Sequence, residues 1–304
     1  MTKVVVLMST YNGEKYLKEQ IDSILEQTGD EIKIDLLVRD DGSKDGTIDI
    51  LESYKKDEKL NWYSEGNLGP QKSFWDLLKK SPDADYYSFA DQDDVWLEDK
   101  IKRAVETILK INNQEQPILY CSDASVTNEN LDVMQEKMMK KVWTDFEHSM
   151  VYSIASGNTF VFNKKAKDIL IKYDMEREYP LIHDWLVHKI IVMFGEIIFD
   201  SEPSLLYRQH GLNAIGSETN PVKDFTTRAI RYLKTSDCER SKVAQSLLNT
   251  YGDEMSDEQR RLMTLFASYK NDKKAKKYLI KTNIFHTNII RDNLLKLLFV
   301  TNKI

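Results

Sequence analysis

The chain opens on an apolar run, Val4-Val5-Val6-Leu7-Met8, with no polar alternation. Its length predicts a strand buried on both faces. Leu17, Ile21, Ile24, Leu25 and Thr28 then recur at helical spacing and predict an amphipathic helix. Ile34 to Val38 reads as a second strand, ending in the polar turn Arg39-Asp40-Asp41-Gly42-Ser43. A helix from about Gly46 to Lys55 and a short strand from Trp62 to Ser64 follow. Pro70 suits the first position of a helix reaching about Lys80. Tyr86 to Ala90 is another strand, ending in Asp91-Gln92-Asp93-Asp94, and Ile101 to Ile111 is helical again. Strands and helices in alternation predict an α/β layer on a mostly parallel sheet. In such sheets ligands bind beyond the carboxyl ends of the strands.

The pattern changes after about residue 115. Ile118 to Cys121, Thr159 to Phe162, Glu196 to Phe199 and Leu205 to Arg208 read as strands, and Leu181 to Phe194 as a helix. From about Asp224 the chain is helical. Leu262, Leu265, Phe266 and Tyr269 form one apolar stripe, and Ile284, Phe285, Ile289, Ile290, Leu294, Leu297 and Leu298 another. The expected division is residues 1–220 as one α/β domain, with halves 1–115 and 116–220, followed by a basic helical region over 221–304.

Composition narrows the class. The 304 residues have a mean hydropathy of -0.51, and no apolar run nears the ~20 residues that span a bilayer. The N-terminus shows neither a basic leader nor a small-residue cleavage site, so a cytoplasmic protein is expected. Cys121 and Cys238 are far apart and make neither a metal knuckle nor a disulfide framework. Charge is uneven: residues 1–220 carry 26 basic and 40 acidic side chains, whereas residues 221–304 carry 17 and 9. Such asymmetry suggests different partners for the two parts. Nucleic acid is not expected, because the main domain is acidic and the tail lacks a nucleic-acid motif.

The candidate chemistry lies in three polar clusters at successive strand ends. They are Ser9-Thr10-Tyr11-Asn12-Gly13, Asp40-Asp41-Gly42-Ser43-Lys44-Asp45-Gly46 and Asp91-Gln92-Asp93-Asp94. On a parallel sheet these ends share one edge. Carboxylates gathered there repel unless a cation or a donor lies between them, and Mg²⁺ or Mn²⁺ meets that need by bridging to phosphate oxygens. Taken singly, each cluster also makes a good turn or helix cap.

These motifs, in this order over roughly residues 4–100, resemble glycosyltransferase family 2, the inverting family with the GT-A fold. Ser9-Thr10-Tyr11-Asn12 is similar to its first nucleotide loop, Asp40-Asp41-Gly42-Ser43 to its Asp-Asp-Gly-Ser segment and Asn67-Leu68-Gly69 to its Asn-x-Gly turn. Asp91-Gln92-Asp93 is similar to its Asp-x-Asp metal motif. The resemblance implies a Rossmann-like nucleotide-binding sheet, a mixed acceptor-side half and a helical C-terminal extension. It implies that Thr10, Tyr11, Asp40, Asp41 and Asp91 surround a nucleotide, with Asp91 near the ribose or the metal, and that Asp93 holds the divalent ion at the diphosphate. Asp184, opening the 181–194 helix, matches the family's base, although His183 replaces the usual Glu before it; helix capping is the bland alternative.

Tyr207-Arg208-Gln209-His210-Gly211 adds two candidates. Arg208 has the fork geometry for a diphosphate, and His210 is a further metal ligand or a structural hydrogen-bond partner. Asn158, His183 and Trp185 are assigned to the acceptor side. The Gln-x-x-Arg-Trp motif of the family's processive synthases is not found, which points to limited sugar addition. The Gly157-Asn158-Thr159, His183-Asp184-Trp185 and Tyr207 to Gly211 segments together resemble bacterial rhamnosyltransferases that build surface polysaccharides. That resemblance implies a dTDP-L-rhamnose donor and a lipid-linked saccharide acceptor at the inner membrane face.

Residues 260–304 carry 11 basic and 2 acidic side chains beside strongly apolar segments. A basic amphipathic helix of that kind lies on an anionic membrane or packs on the core or on a second copy of the chain. The competing readings for the whole chain are a sugar-1-phosphate nucleotidyltransferase, which wants a Gly-rich phosphate loop after the first strand, and a non-catalytic nucleotide-sugar-binding module.

Overall fold

The computed structural model describes residues 1–27, 29, 31–139, 142, 144–151, 155–211 and 239–282, together with 293, 296, 297 and 299–302. Two compact units are formed. The first comprises 1–144, 153–175 and 180–211, and the second comprises 145–152, 176–179 and 212–304.

In the first unit, strand β1 (Thr2–Thr10) pairs in parallel with β2 (Ile32–Asp40) and β4 (Tyr86–Ala90), and β2 pairs in parallel with β3 (Asn61–Ser64). Val4 to Met8 are all fully buried, as a run without alternation requires. Helix α1 (Leu17–Leu25) packs Leu17, Ile21 and Ile24 into the main core with Val6, Met8 and Val38. Thr28, expected on the same face, lies outside the described residues. Helices α2 (Thr47–Lys56) and α3 (Pro70–Lys80) follow β2 and β3, with Pro70 at the head of α3 as expected.

The sheet continues through a mixed half. Two-residue β5 (Val95–Trp96) and helix α4 (Lys100–Ile108) lead to β6 (Ile118–Thr127) and its short antiparallel partner β7 (Val133–Gln135). Then come β8 (Val161–Asn163), helix α6 (Lys164–Leu170), helix α7 (His183–Phe194) and β9 (Glu196–Arg208); α5 (Phe146–Ser149) belongs to the second unit. The order across the sheet is β3-β2-β1-β4-β8-β6-β9-β5. The two strands expected at 196–199 and 205–208 are one thirteen-residue strand, whose register against β6 shifts after Ser122. The bulge absorbs Ser201 and Glu202 and lets pairing resume. The expected strand at 159–162 starts later, because Gly157–Thr159 form a 3₁₀ turn first.

The second unit contains α5, α8 (Glu239–Tyr251), α9 (Asp257–Ser268) and α10 (Lys273–Lys281). Ser256 and Gln259 cap α9 reciprocally. Of the two apolar stripes, the first places Phe266 and Tyr269 in the interior, where Phe299 stacks on Tyr269 at 4.0 Å. The second falls largely outside the described residues, as does Cys238. Among the described residues no helix is long and apolar enough to cross a membrane.

Candidate active site

Sheet register sets the site. Thr10 lies opposite Asp40, Asp40 opposite Ser64 and Met8 opposite Ala90, so the turns after β1, β2 and β4 leave one edge together.

The turn after β2 is internally saturated. Asp40 Oδ2 accepts from the amides of Gly42 and Ser43 at 3.0 Å and from Ser64 Oγ at 2.9 Å, and the turn uses φ +89° at Gly42. Thr10, also buried, reaches Asp40 Oδ1 at 3.4 Å. Asp41 accepts from the amides of Leu68 and Gly69 at 2.8 and 2.9 Å and pairs with Arg39. The Arg39 guanidinium is fully buried and also bonds Ser73, Gly66 and Asp76. These contacts clamp the Asp-Asp-Gly-Ser and Asn-Leu-Gly turns together. Both aspartates sit at the predicted edge, with their carboxylates engaged by the protein itself.

Tyr11 and Asn12 are the exposed members of the first loop. The Gln92 side chain accepts from the Tyr11 amide at 2.9 Å and donates to the Tyr11 carbonyl at 3.2 Å, which staples this loop to the acidic loop after β4.

The acidic loop is crowded. Burial, then the charges of Asp93 and Asp184, push the Asp91 carboxyl up to about 7. Asp94 is fully buried and raised well above the usual range by burial and by Asp91 and Asp93. Its partners are Asn158 Nδ2 and the Arg208 amide, the latter at 3.2 Å. Asp93 Oδ2 lies 2.8 Å from His210 Nε2, so the two metal candidates are brought together. The His210 ring packs on Tyr16, with centroids 4.7 Å apart.

Arg208 takes a position different from a free phosphate clamp. Its side chain is nearly buried, donates to the carbonyls of Asp93 at 2.9 Å and Glu129 at 2.6 Å, pairs with Glu19 and lies 4.6 Å over the Tyr16 ring. It braces the acidic loop from behind.

Helix α7 brings in the remaining candidates. Asp184 Oδ1 accepts from the Trp185 amide at 2.7 Å. Burial raises its carboxyl to about 6, against the opposing pull of amides from Trp185 and Gly157 and of the Lys189 charge. Trp185 is half-buried, with Lys189 Nζ 5.1 Å over its ring. His183 is stacked on Phe74 at 4.2 Å and edge-on to Phe89 at 5.2 Å, and burial drops its pKa to about 3. It is therefore a neutral packing residue at physiological pH.

The Gly157–Thr159 turn joins the two parts. A Cβ on Gly157 would lie 2.5 Å from His183 Nε2, so only glycine lets the turn reach α7. Asn158 reaches Asp94, and its carbonyl accepts from Lys100 Nζ at 2.9 Å. Lys100 is fully buried, lies 4.6 Å over the Trp96 ring, and burial lowers its pKa to about 7. Lys100, Arg39, Glu19 and Gln92 were not singled out from sequence. Gln92, inside the acidic motif, and Arg39, at the head of the Asp-Asp-Gly-Ser turn, carried a local signal; Lys100 and Glu19 did not.

Among the described residues no group of three or more His, Cys, Asp or Glu is arranged to hold a metal. The Asp93–His210 pair still fits an ion that shares its coordination with substrate. Mg²⁺ and Mn²⁺ are commonly held by one or two protein ligands plus phosphate oxygens and water. The mutual repulsion that raises Asp91 is what a cation would relieve.

An α/β sheet with an acidic loop at a strand end and a carboxylate facing it defines a class of nucleotide-dependent transferases. The signature of "Glycosyl transferase family 2" matches residues 5–166, and the chain belongs to that family. Among its relatives is "dTDP-rhamnosyl transferase RfbG" of Shigella flexneri, 27% identical over 256 residues that cover 79% of this chain and 84% of that protein. "Poly(ribitol-phosphate) beta-N-acetylglucosaminyltransferase TarS" of Staphylococcus aureus is 32% identical over 110 residues, 36% of this chain and 19% of that one. The structure of S. aureus TarS 1-349 in complex with UDP-GlcNAc superposes with a TM-score of 0.57 at 18% identity, covering 98% of this chain and 91% of that one. The fold is thus GT-A.

Proposed function

We propose that this glycosyltransferase moves a sugar, L-rhamnose from dTDP-L-rhamnose, to a hydroxyl of a lipid-linked saccharide in surface polysaccharide synthesis. A nucleotide-sugar donor is what family membership implies. The rhamnose assignment leans on the likeness to RfbG over most of both chains. The observation that carries the mechanism is the electrostatic coupling of Asp91 to both Asp93 and Asp184. It supports a reading in which the donor-side acids and the base share one neighbourhood.

In this reading the nucleotide lies against Thr10, Tyr11 and the turns built by Asp40 and Asp41, with Asp91 at the ribose. Asp93 and His210 would hold a divalent ion, which would supply charge neutralisation for the departing diphosphate. Arg208 keeps the Asp93 segment in place from behind. The acceptor hydroxyl, placed beside Trp185, attacks the sugar C1 opposite the leaving group. The new C1–O bond forms as the C1–O bond to the diphosphate breaks, and the hydroxyl proton passes to Asp184. A carboxyl near 6 is ionised at neutral pH yet more basic than an ordinary aspartate, which suits the task. Inversion at C1 follows from the opposed geometry. Family membership weighs against the nucleotidyltransferase reading, and a crowded, high-pKa acid cluster is a poor design for a passive binding module.

Calorimetry with dTDP, UDP and GDP, each with and without Mn²⁺, tests the donor. Metal-dependent preference for dTDP is expected; preference for UDP or GDP would remove rhamnose and keep the mechanism. Asp184→Asn is expected to lower transfer about 10²–10⁴-fold while nucleotide affinity holds. Wild-type turnover in that variant would sink the base assignment.

A further inference from the structure

Helix α10 carries Lys273, Lys274, Lys276, Lys277 and Lys281 within nine residues and no acid. Asp272, the acid just before it in the chain, is spent on capping, accepting from the amides of Lys274 and Ala275. Lys273, Lys277 and Lys281 recur at i, i+4 and i+8, so they form one stripe. All three are exposed, and among the described residues none has an acidic partner. Arg261 adds to the charge, lying 5.4 Å over the ring of half-exposed Tyr278.

The stripe edges an apolar groove. A space of about 250 Å³ is lined by Lys273, Lys276, Lys277, Ile280, Lys281 and Val300. The last segment is held there by Phe299, fully buried against Phe266 and Tyr269, and by Lys276 Nζ, which donates to the Val300 carbonyl at 3.3 Å and to Asn302 Oδ1 at 2.6 Å. That anchoring leaves Val300 more than half exposed beside the lysines, and Leu297, three residues before it, is more than half exposed as well.

We infer that this face docks on an anionic lipid bilayer, with the lysines on headgroup phosphates and Val300, Ile280 and Leu297 against the acyl boundary. Charge without counter-charge calls for an anionic partner, and an apolar floor under ammonium groups suits an amphiphile. A nucleic-acid backbone offers nothing for that floor. A second copy would set lysine against lysine. The inference goes beyond the transferase reading and does not depend on it.

The test is co-sedimentation of the full chain with phosphatidylcholine vesicles, with and without phosphatidylglycerol. Binding is expected only with phosphatidylglycerol and should fade as salt rises. The triple variant Lys273→Ala/Lys277→Ala/Lys281→Ala should lower partitioning about 100-fold, at about fivefold per basic group. Val300→Asp should lower it about tenfold, the worth of one lost apolar contact. A control triple with the same charge loss, Lys56→Ala/Lys102→Ala/Lys110→Ala, should bind as wild type. Equal loss in both triples, equal binding to pure phosphatidylcholine, or no vesicle binding overturns the assignment. Capture of a DNA duplex in place of vesicles would reassign the face. Nucleotide calorimetry on the same proteins keeps the two readings apart. Vesicle binding without nucleotide binding would sink the donor site alone, and the reverse would sink the docking face alone.

Discussion

After β2, the carboxylates of Asp40 and Asp41 are buried and satisfied by backbone amides, Ser64 and Arg39. After β4, on the same sheet edge, Asp91, Asp93 and Asp94 meet one another and Asp184, and two of the loop's three acids are driven upward in pKa. The residue type is identical and the surroundings are not. Where donors outnumber acids, an acidic turn is architecture. Where acids outnumber donors, the remaining field is available to a cation and a substrate. An acidic motif therefore announces a place, and its neighbours decide what the place does.

That contrast breaks cleanly by substitution. Asp41→Ala removes one of the two carboxylates on the buried Arg39 guanidinium and leaves Asp76 as its remaining ion pair, a loss of about 2–3 kcal/mol. Thermal unfolding should show a Tm fall of roughly 4 °C. Asp93→Ala should leave Tm within a degree or two, since relief of its repulsion with Asp91 offsets the lost His210 contact. It should abolish the metal dependence of nucleotide binding in calorimetry. Equal destabilisation by both would erase the distinction between the two turns.

A smaller effect is expected at the seam between them. Gly157→Ala forces His183 or the turn to move, an overpacking cost of about 1–3 kcal/mol. Because the same turn bonds Asp94 and Asp184, kcat should fall more than donor KM rises. The smallest is a pH effect. With its carboxyl raised to about 6, Asp184 loses its proton as pH climbs through that value, so kcat should rise across it and level off above neutrality. A limb near the ordinary aspartate value of about 4 would point to a different base.

Much of the first half was legible because its elements follow local rules. The unbroken Val4–Met8 run can only be satisfied between two layers, and Pro70 starts a helix without losing a needed amide. The order of polar turns also survived, since a parallel sheet sends strand ends to one edge. The mixed half was harder to read. The strands expected at 196–199 and 205–208 are one, and the strand runs on because β6 accepts the bulge.

Side-chain roles show the same division. Sequence determined which residue types reach the edge: Thr10, Tyr11, Asp40, Asp41, Asp91, Asp93, Asp184, Arg208 and His210 all belong to segments that the fold places at strand or helix ends. Only the tertiary structure decided that Arg208 turns back under the acidic loop, that His183 stacks between Phe74 and Phe89, and that Lys100 is buried beside Asn158. The reason is range. Periodicity and turn chemistry act over a few residues, so they can be read along the chain. Hydrogen-bond partners and desolvation are set by residues 50 to 190 positions away, and they exist only once the sheet has closed.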